Sequence, residues 1–215
     1  MTTTPTTPIT LLSAVNEMLA AVGTAQVATL DTSSTNEEVQ KALNTLKDVS
    51  VRVQSDGWGF NVEDDFPLNP DPVTGYIALP ANALFMGVST KSRDRYPTQR
   101  QGNLYDIKNH TFQWANGSNG IVTPNPLVGS GSDLGTIYVK LQFTFDFEDC
   151  PQPIRWLIMA EAGRMWGVGR VPDSATFKFT DAVYEEALAR AIAWDNDAAS
   201  FYPSQNPHFS AMRRR

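Results

Sequence analysis

Cysteine occurs once in the 215 residues, as Cys150, so no intramolecular disulfide can brace this fold. Packing alone must hold it, as suits a protein assembled in a reducing cytoplasm. Long hydrophobic runs are also missing. The longest comparable stretch is Trp156-Leu157-Ile158-Met159-Ala160, far short of the roughly 20 apolar residues of a membrane helix. The opening Met1 to Pro8 has no basic residue, and the apolar residues that follow are interrupted by Asn16 and Glu17, so no secretory signal is expected. These absences predict a soluble chain with no membrane partner.

Chemistry-bearing motifs are equally sparse. His110 and His208 stand in polar surroundings without metal-ligand spacing, and no HExxH, CxxC, nucleophile elbow or phosphate loop occurs. Gly129-Ser-Gly131 and Gly167-Val-Gly169 lack a strand-loop-helix context and read as turns. The expectation is a protein that is not an enzyme, with no cofactor and no metal. Acidic groups at Glu63-Asp64-Asp65 and Glu148-Asp149 supply an enzymatic alternative, the two carboxylates of a cell-wall (peptidoglycan) hydrolase, and a monomeric intracellular binding module is a second rival. Adjacent carboxylates of this kind more often sit on solvated turns.

Positive charge is short outside the C-terminus. The net charge is −6, yet the last fifteen residues hold three arginines and no acid, which leaves 14 basic against 23 acidic groups, or −9, elsewhere. Tight nucleic-acid binding depends on neutralising phosphates with Lys and Arg, so an acidic body suits a surface past which DNA slides without sticking. Lys91-Ser-Arg93-Asp-Arg95 and Arg100 form a basic cluster in mid-chain; with Asp94 inside it, it reads as a solvated loop or a subunit contact.

Hydrophobic residues make up 41% of the sequence, enough for one sizeable core or two small lobes. Leu11, Leu12, Val15, Leu19 and Val22 have helical spacing over residues 10–22, with Gly23 where a C-terminal cap is expected. Thr35-Asn-Glu-Glu38 has the form of a capping box, and Val39, Leu43, Leu46, Val49 and Val53 stripe a second helix that stops before Gly57. From Gly57 to about Cys150 the pattern turns to β and loop, with short runs at Gly75–Leu79 and Asn103–Ile107. Its clearest strand spans Gly135 to Phe147, where Ile137, Val139, Leu141, Phe143, Phe145 and Phe147 alternate with polar residues and should share a buried face. A third helix begins at Pro153, with Ile154, Leu157, Ile158, Met165 and Trp166 on its stripe. A fourth runs from Thr180 or Asp181 to about Ser200, with Phe179 and Tyr184 placed as a hydrophobic staple.

Helices of this length are marginal alone and need apolar partners. The inferred fold class is therefore α+β: a four-helix bundle formed by both chain ends, with an inserted antiparallel β-rich domain and an extended C-terminal arm. The expected limits are 1–56 and 151–200 for the bundle halves, 57–150 for the insertion and 201–215 for the arm. That arm keeps Phe201, Tyr202, Phe209 and Met212 ahead of Arg213, Arg214 and Arg215. Disordered tails are usually poor in aromatics, so these seven residues are the candidate partner-binding site, the alternative being an ordinary frayed terminus.

Leu12-Ser-Ala-Val-Asn16 followed by Glu17-Met-Leu-Ala-Ala-Val-Gly23 resembles the first helix and glycine stop of the tail tubular protein A family, the adaptor or gatekeeper subunits of short-tailed bacteriophages (podoviruses). Ser55-Asp-Gly-Trp-Gly-Phe-Asn-Val-Glu63 matches that family's Gly-Trp-x-Phe-Asn element after a long second helix. Leu104-Tyr-Asp106, Cys150-Pro and an acidic, alanine-rich last helix continue the resemblance in order. It implies a ring of twelve subunits in the short tail of the virion, between the portal protein and a nozzle protein like tail tubular protein B, near the tail fibres. It also implies that DNA transits the ring without sequence-specific binding. Trp58 and Phe60 are expected to serve as core, and in an adaptor the arm, whose aromatic and basic residues mark it for docking, is expected to pack against the portal or a neighbouring subunit.

Overall fold

The structure, a computed structural model, describes residues 8–30, 36–92, 96–118, 121–124, 136–170 and 178–199. Within these the protein is α+β, with four α-helices and antiparallel sheets. In chain order they are α1 (Leu11–Ala21), α2 (Glu37–Ser55), β1 (Val62–Leu68), β2 (Ala83–Val88), β3 (Pro97–Arg100), β4 (Asn103–Asp106), β5 (Ala115–Ser118), β6 (Ile121–Pro124), β7 (Ile137–Phe143), α3 (Gln152–Gly167) and α4 (Asp181–Ala199). Two compact units result: one is Asn61–Thr144, and the other comprises the chain up to Phe60 and from Phe145 onward.

In the helical unit, each helix end is set by local chemistry. Thr10 caps α1 by accepting from the Ser13 amide, while the Ser13 hydroxyl accepts from the Thr10 amide, a capping box with Ser in place of the usual Glu. At the other end Gly23 takes a positive φ of 76°, its amide donates to Ala20 and the Thr24 amide donates to Leu19. That is a Schellman motif, which satisfies two otherwise orphaned carbonyls. The capping box expected at Thr35 gives way to a simpler cap: Asn36 is the N-cap of α2, and its side chain accepts from the Glu38 and Val39 amides. Asn fills this role as well as Thr does, and it places Glu37 and Glu38 in the first turn, where the helix dipole favours them.

The stripe Val39, Leu43, Leu46, Val49 and Val53 is buried as its spacing demands. Val15, Leu19, Ile154, Leu157, Ile158 and Trp166 join it in one apolar cluster, completed from α4 by the wholly buried Ala187 and Ala191. Met165, expected on the α3 stripe, is 45% exposed instead. Gly163 explains how closely the chain approaches α3: a Cβ added there would lie 2.4 Å from the ring of buried Phe179. Phe179 precedes Thr180, whose hydroxyl accepts from the Val183 amide at the start of α4. Ion pairs Arg52–Glu161 (2.5 Å), Arg170–Glu38 (2.7 Å), Arg164–Asp181 (3.0 Å) and Lys178–Glu17 tie the helices at the surface. Exposed pairs of this kind fix register more than they stabilise.

The β unit is built on a three-stranded sheet of order β1-β7-β2, with hairpins β3-β4 and β5-β6. Ile137, Val139, Leu141 and Phe143 are buried on β7, as period-two alternation requires. The strand ends at Phe143, four residues before the expected limit. Phe145 leaves it, and Phe147 opens a short 3-10 turn in the helical unit while remaining buried. Gly75–Leu79 contributes only an isolated bridge from Ala78 to Asn103 rather than a strand. The β3-β4 turn is Gln101-Gly102, both at positive φ (52° and 74°), matching the twist of a two-residue hairpin. Trp114 is buried beside β4 and donates its indole N–H to the Leu104 carbonyl at 2.9 Å.

Candidate assembly surfaces

The seven residues expected to bind a partner, Phe201, Tyr202, Phe209, Met212, Arg213, Arg214 and Arg215, lie outside the described residues, as do Arg93 and Arg95 of the basic cluster. The two ends of that cluster behave differently. Lys91 is engaged by Asp65 at 3.0 Å and sits over the Tyr138 ring. Arg100 has no carboxylate partner among the described residues and lies over the Tyr105 ring, 4.0 Å from its centre.

Three of the five carboxylates that a hydrolase could draw on, Asp64, Asp65 and Glu148, have structural employment. β1 bulges between Glu63 and Phe66, so that Asp64 and Asp65 together face Lys140 on β7. Asp64 pairs with Lys140 at 3.1 Å. Asp65 sits at φ 61°, accepts from the Ser89 hydroxyl and pairs with Lys91. The Ser89 hydrogen bond, then Lys91, hold its carboxyl below the usual carboxylate range, whereas a glycosidase acid must be shifted upward. Glu148 accepts from the Leu11 amide at 3.1 Å, adding negative charge at the start of α1. No group of three or more metal-ligating side chains occurs among the described residues. Cys150 is buried, and that burial pushes its thiol up to about 11 despite the nearby Arg155, so it is a poor nucleophile at neutral pH.

The Gly57-Trp-Gly-Phe-Asn61 run is scaffold, its side chains packed in the core or hydrogen-bonded to backbone. Trp58 is buried in the helical core, and its indole N–H donates to the Val53 carbonyl at 2.7 Å. The Gly59 amide donates to Oδ1 of buried Asp195 on α4 at 2.7 Å, and a Cβ at Gly59 would stand 3.0 Å from that oxygen. Phe60 leans on Phe145 and Trp194 at ring-centre distances of 6.0 and 6.3 Å. In the β unit, buried Asn61 exchanges hydrogen bonds with Phe143, its Nδ2 donating at 2.9 Å and its carbonyl accepting at 2.7 Å. Gln54, fully buried at the end of α2, does the same for Phe145 with Oε1 accepting at 2.8 Å and Nε2 donating at 2.9 Å. Sequence reasoning missed Gln54 and Asp195. Their one signal was a polar residue on an otherwise apolar stripe.

Sequence reasoning also missed a surface feature of the β unit. The Arg100 guanidinium covers Tyr105, Tyr105 meets Phe112 edge-on at 4.9 Å, and Phe112 meets Tyr76 at 5.8 Å. This makes a continuous ladder whose last ring is 42% exposed. Its members come from a loop, both arms of the β3-β4 hairpin and the turn after it, so no local pattern announces it. On α4 the outward positions include Ala182, Glu185, Ala189 and Ala193, all exposed, and Glu185 has no ion-pair partner among the described residues.

No curated protein matches the chain. A family profile described as "Tail tubular protein" does match, over residues 12–201. That span contains the whole β unit, most of the helical unit, and every described α-helix but the first residue of α1. By this match the chain belongs to the tail tubular protein family, and it is a structural component of a bacteriophage tail.

Proposed function

We propose that the chain is the ring-forming subunit of the head-to-tail adaptor of a short-tailed bacteriophage, joining the portal to the tail nozzle and letting DNA pass through its centre. The observation that carries this reading is the family match across residues 12–201. It is supported by one chain's possession of two unlike units, since a cyclic assembly needs two different complementary faces on each subunit. In this reading twelve copies close the ring. Residues 1–56 and 151–200 act as a four-helix bundle, 57–150 as the β-rich insertion, and 201–215 as an arm that docks on the portal or on a neighbouring copy. The acidic balance outside the arm lets DNA move through without sticking.

Particle imaging of the purified chain, alone and mixed with its portal, tests the adaptor role. A closed ring on the portal is the expected result, and a stable monomer that ignores portal would sink it. Deleting residues 201–215 should leave a folded protein with weakened attachment. Replacing only Arg213, Arg214 and Arg215 should give a milder defect that depends on salt, because exposed ion pairs are individually weak. Unaltered affinity after the deletion would remove the arm from the proposal while leaving the adaptor. A zymogram against peptidoglycan addresses the hydrolase: clearing that disappears in Glu148→Gln would overturn the structural reading.

A further inference from the structure

The Arg100–Tyr105–Phe112–Tyr76 ladder has the composition of an interface hot spot, since Tyr and Arg carry a disproportionate share of binding energy where they are held rigid. It is held rigid here. Tyr105 is fixed on β4, opposite Thr98 of β3, and Arg100 extends over its ring with no carboxylate partner among the described residues. What covers the ladder must therefore supply an apolar surface flat enough for rings and at least one carboxylate for Arg100.

A single-stranded nucleic acid would stack on such rings, but it also needs a positively charged groove. The β unit, residues 61–144, carries six basic against seven acidic groups. Residues 1–60 and 145–200 are strongly acidic, with eight basic against sixteen acidic groups. Within them α4 presents what the ladder lacks. Ala182, Ala189 and Ala193 leave its outward stripe shallow, and Glu185 stands among them without a cation among the described residues. Asp181 beside it is already taken by Arg164 at 3.0 Å.

We infer that the aromatic ladder of one copy packs on the outward α4 stripe of a second copy, with Arg100 paired to Glu185. This deepens the ring reading and rests on it. The two faces differ, so the contact is heterologous and repeats head to tail from copy to copy. Tyrosine rings provide large contact area with few rotatable bonds, and small alanines let them approach the helix closely.

The test is a charge exchange on the full chain, read as the association constant by sedimentation and as ring closure by imaging, with circular dichroism as the control for folding. Arg100→Glu and Glu185→Arg, both exposed changes, should each weaken association about tenfold or more, the ordinary cost of a disrupted interface anchor. The double variant should return to within about threefold of the parent, because the pair is re-formed with reversed sign. Tyr76→Ser, at the exposed end of the ladder, should weaken association without rescue by any change at Glu185. If the parent chain forms rings and neither single variant alters them, the ladder is not the interface, and the adaptor reading survives. If both singles weaken association and the double variant does not recover, the pairing with α4 is wrong. If the parent never associates, with or without portal, both readings fall together. Binding of a fluorescent oligonucleotide that disappears in Arg100→Glu, with assembly unchanged, would assign the ladder to nucleic acid instead.

Discussion

The helical unit and the β unit solve the same problem with different side chains. Among the described residues, the helical unit buries Ser50, Gln54 and Asp195 as its polar side chains, in a core of more than twenty apolar residues. The smaller β unit buries Asn61, Ser89, Ser92, Asp106 and Gln142. Helices satisfy their own backbone groups except at the ends, so their interior can be apolar. Strands of four residues joined by loops leave many amides and carbonyls unmet, and buried polar side chains must meet them. Asp106 shows this most fully, accepting from the Lys108 amide (2.8 Å), the Asn109 amide (3.1 Å) and Asn109 Nδ2 (2.7 Å). The division assigns packing defects to one unit and hydrogen-bond defects to the other.

Packing defects should be the larger. Phe179→Ala should cost the helical unit about 4 kcal/mol in denaturant unfolding, as for other buried aromatic truncations. Gly163→Ala, which drives a methyl into the same ring, should cost about 3 kcal/mol. Because the added methyl fills part of the space left by the ring, the double variant should fall well short of the sum. Additive effects would show that Gly163 and Phe179 do not share one site.

Gln54→Leu tests the exception within the helical unit. It keeps the apolar bulk but strands the Phe145 amide and carbonyl, at about 2 kcal/mol, and amide exchange at Phe145 should rise in step. Asp106→Ala should remove a similar amount, about 2 kcal/mol, from the β unit. Hydrogen exchange should quicken in β3 and β4 while the α2 and α3 amides stay protected. Equal loosening of both units would break the comparison. Thr10→Ala should cost only about 1 kcal/mol, the usual value of an N-cap, and fray α1 alone.

The smallest effect at neutral pH concerns Cys150. Its thiol rises from an ordinary value of 9.0 to about 11 in the folded protein. The folded state therefore holds the proton more tightly, and this contribution is fully present below about pH 9. It is lost as pH climbs toward 11, because the unfolded thiol ionises first. Stability should decline over that window in the parent and less steeply in Cys150→Ala. A thiol reagent at pH 8 should react slowly with the native chain and quickly with the unfolded one.

Much of the helical unit could be read directly because periodicity and burial coincide there. The stripe from Val39 to Val53, the Gly23 stop and, one residue late, the start of α3 at Pro153 rather than Gln152 all follow from residue spacing and backbone limits that act within a few residues. The alternation on β7 was legible for the same reason, though its end was not. Phe145 continues the period-two pattern in the sequence, yet its backbone bonds to Gln54, a residue 91 positions earlier. Asp64 and Asp65 of β1 looked like available acids in the sequence and are ion-paired in the fold.

The helices, the polarity of the central strand and the acidic balance were legible in the residue order, because each depends on composition or on neighbours a few residues away. Long-range packing was needed for Asn61 and Gln54 to clamp Phe143 and Phe145, for Asp195 to hold Gly59, and for Tyr76, Arg100, Tyr105 and Phe112 to form one ladder. Those pairings join residues distant along the chain. Their energies arise from desolvation and directional hydrogen bonding that exist only once the core has closed.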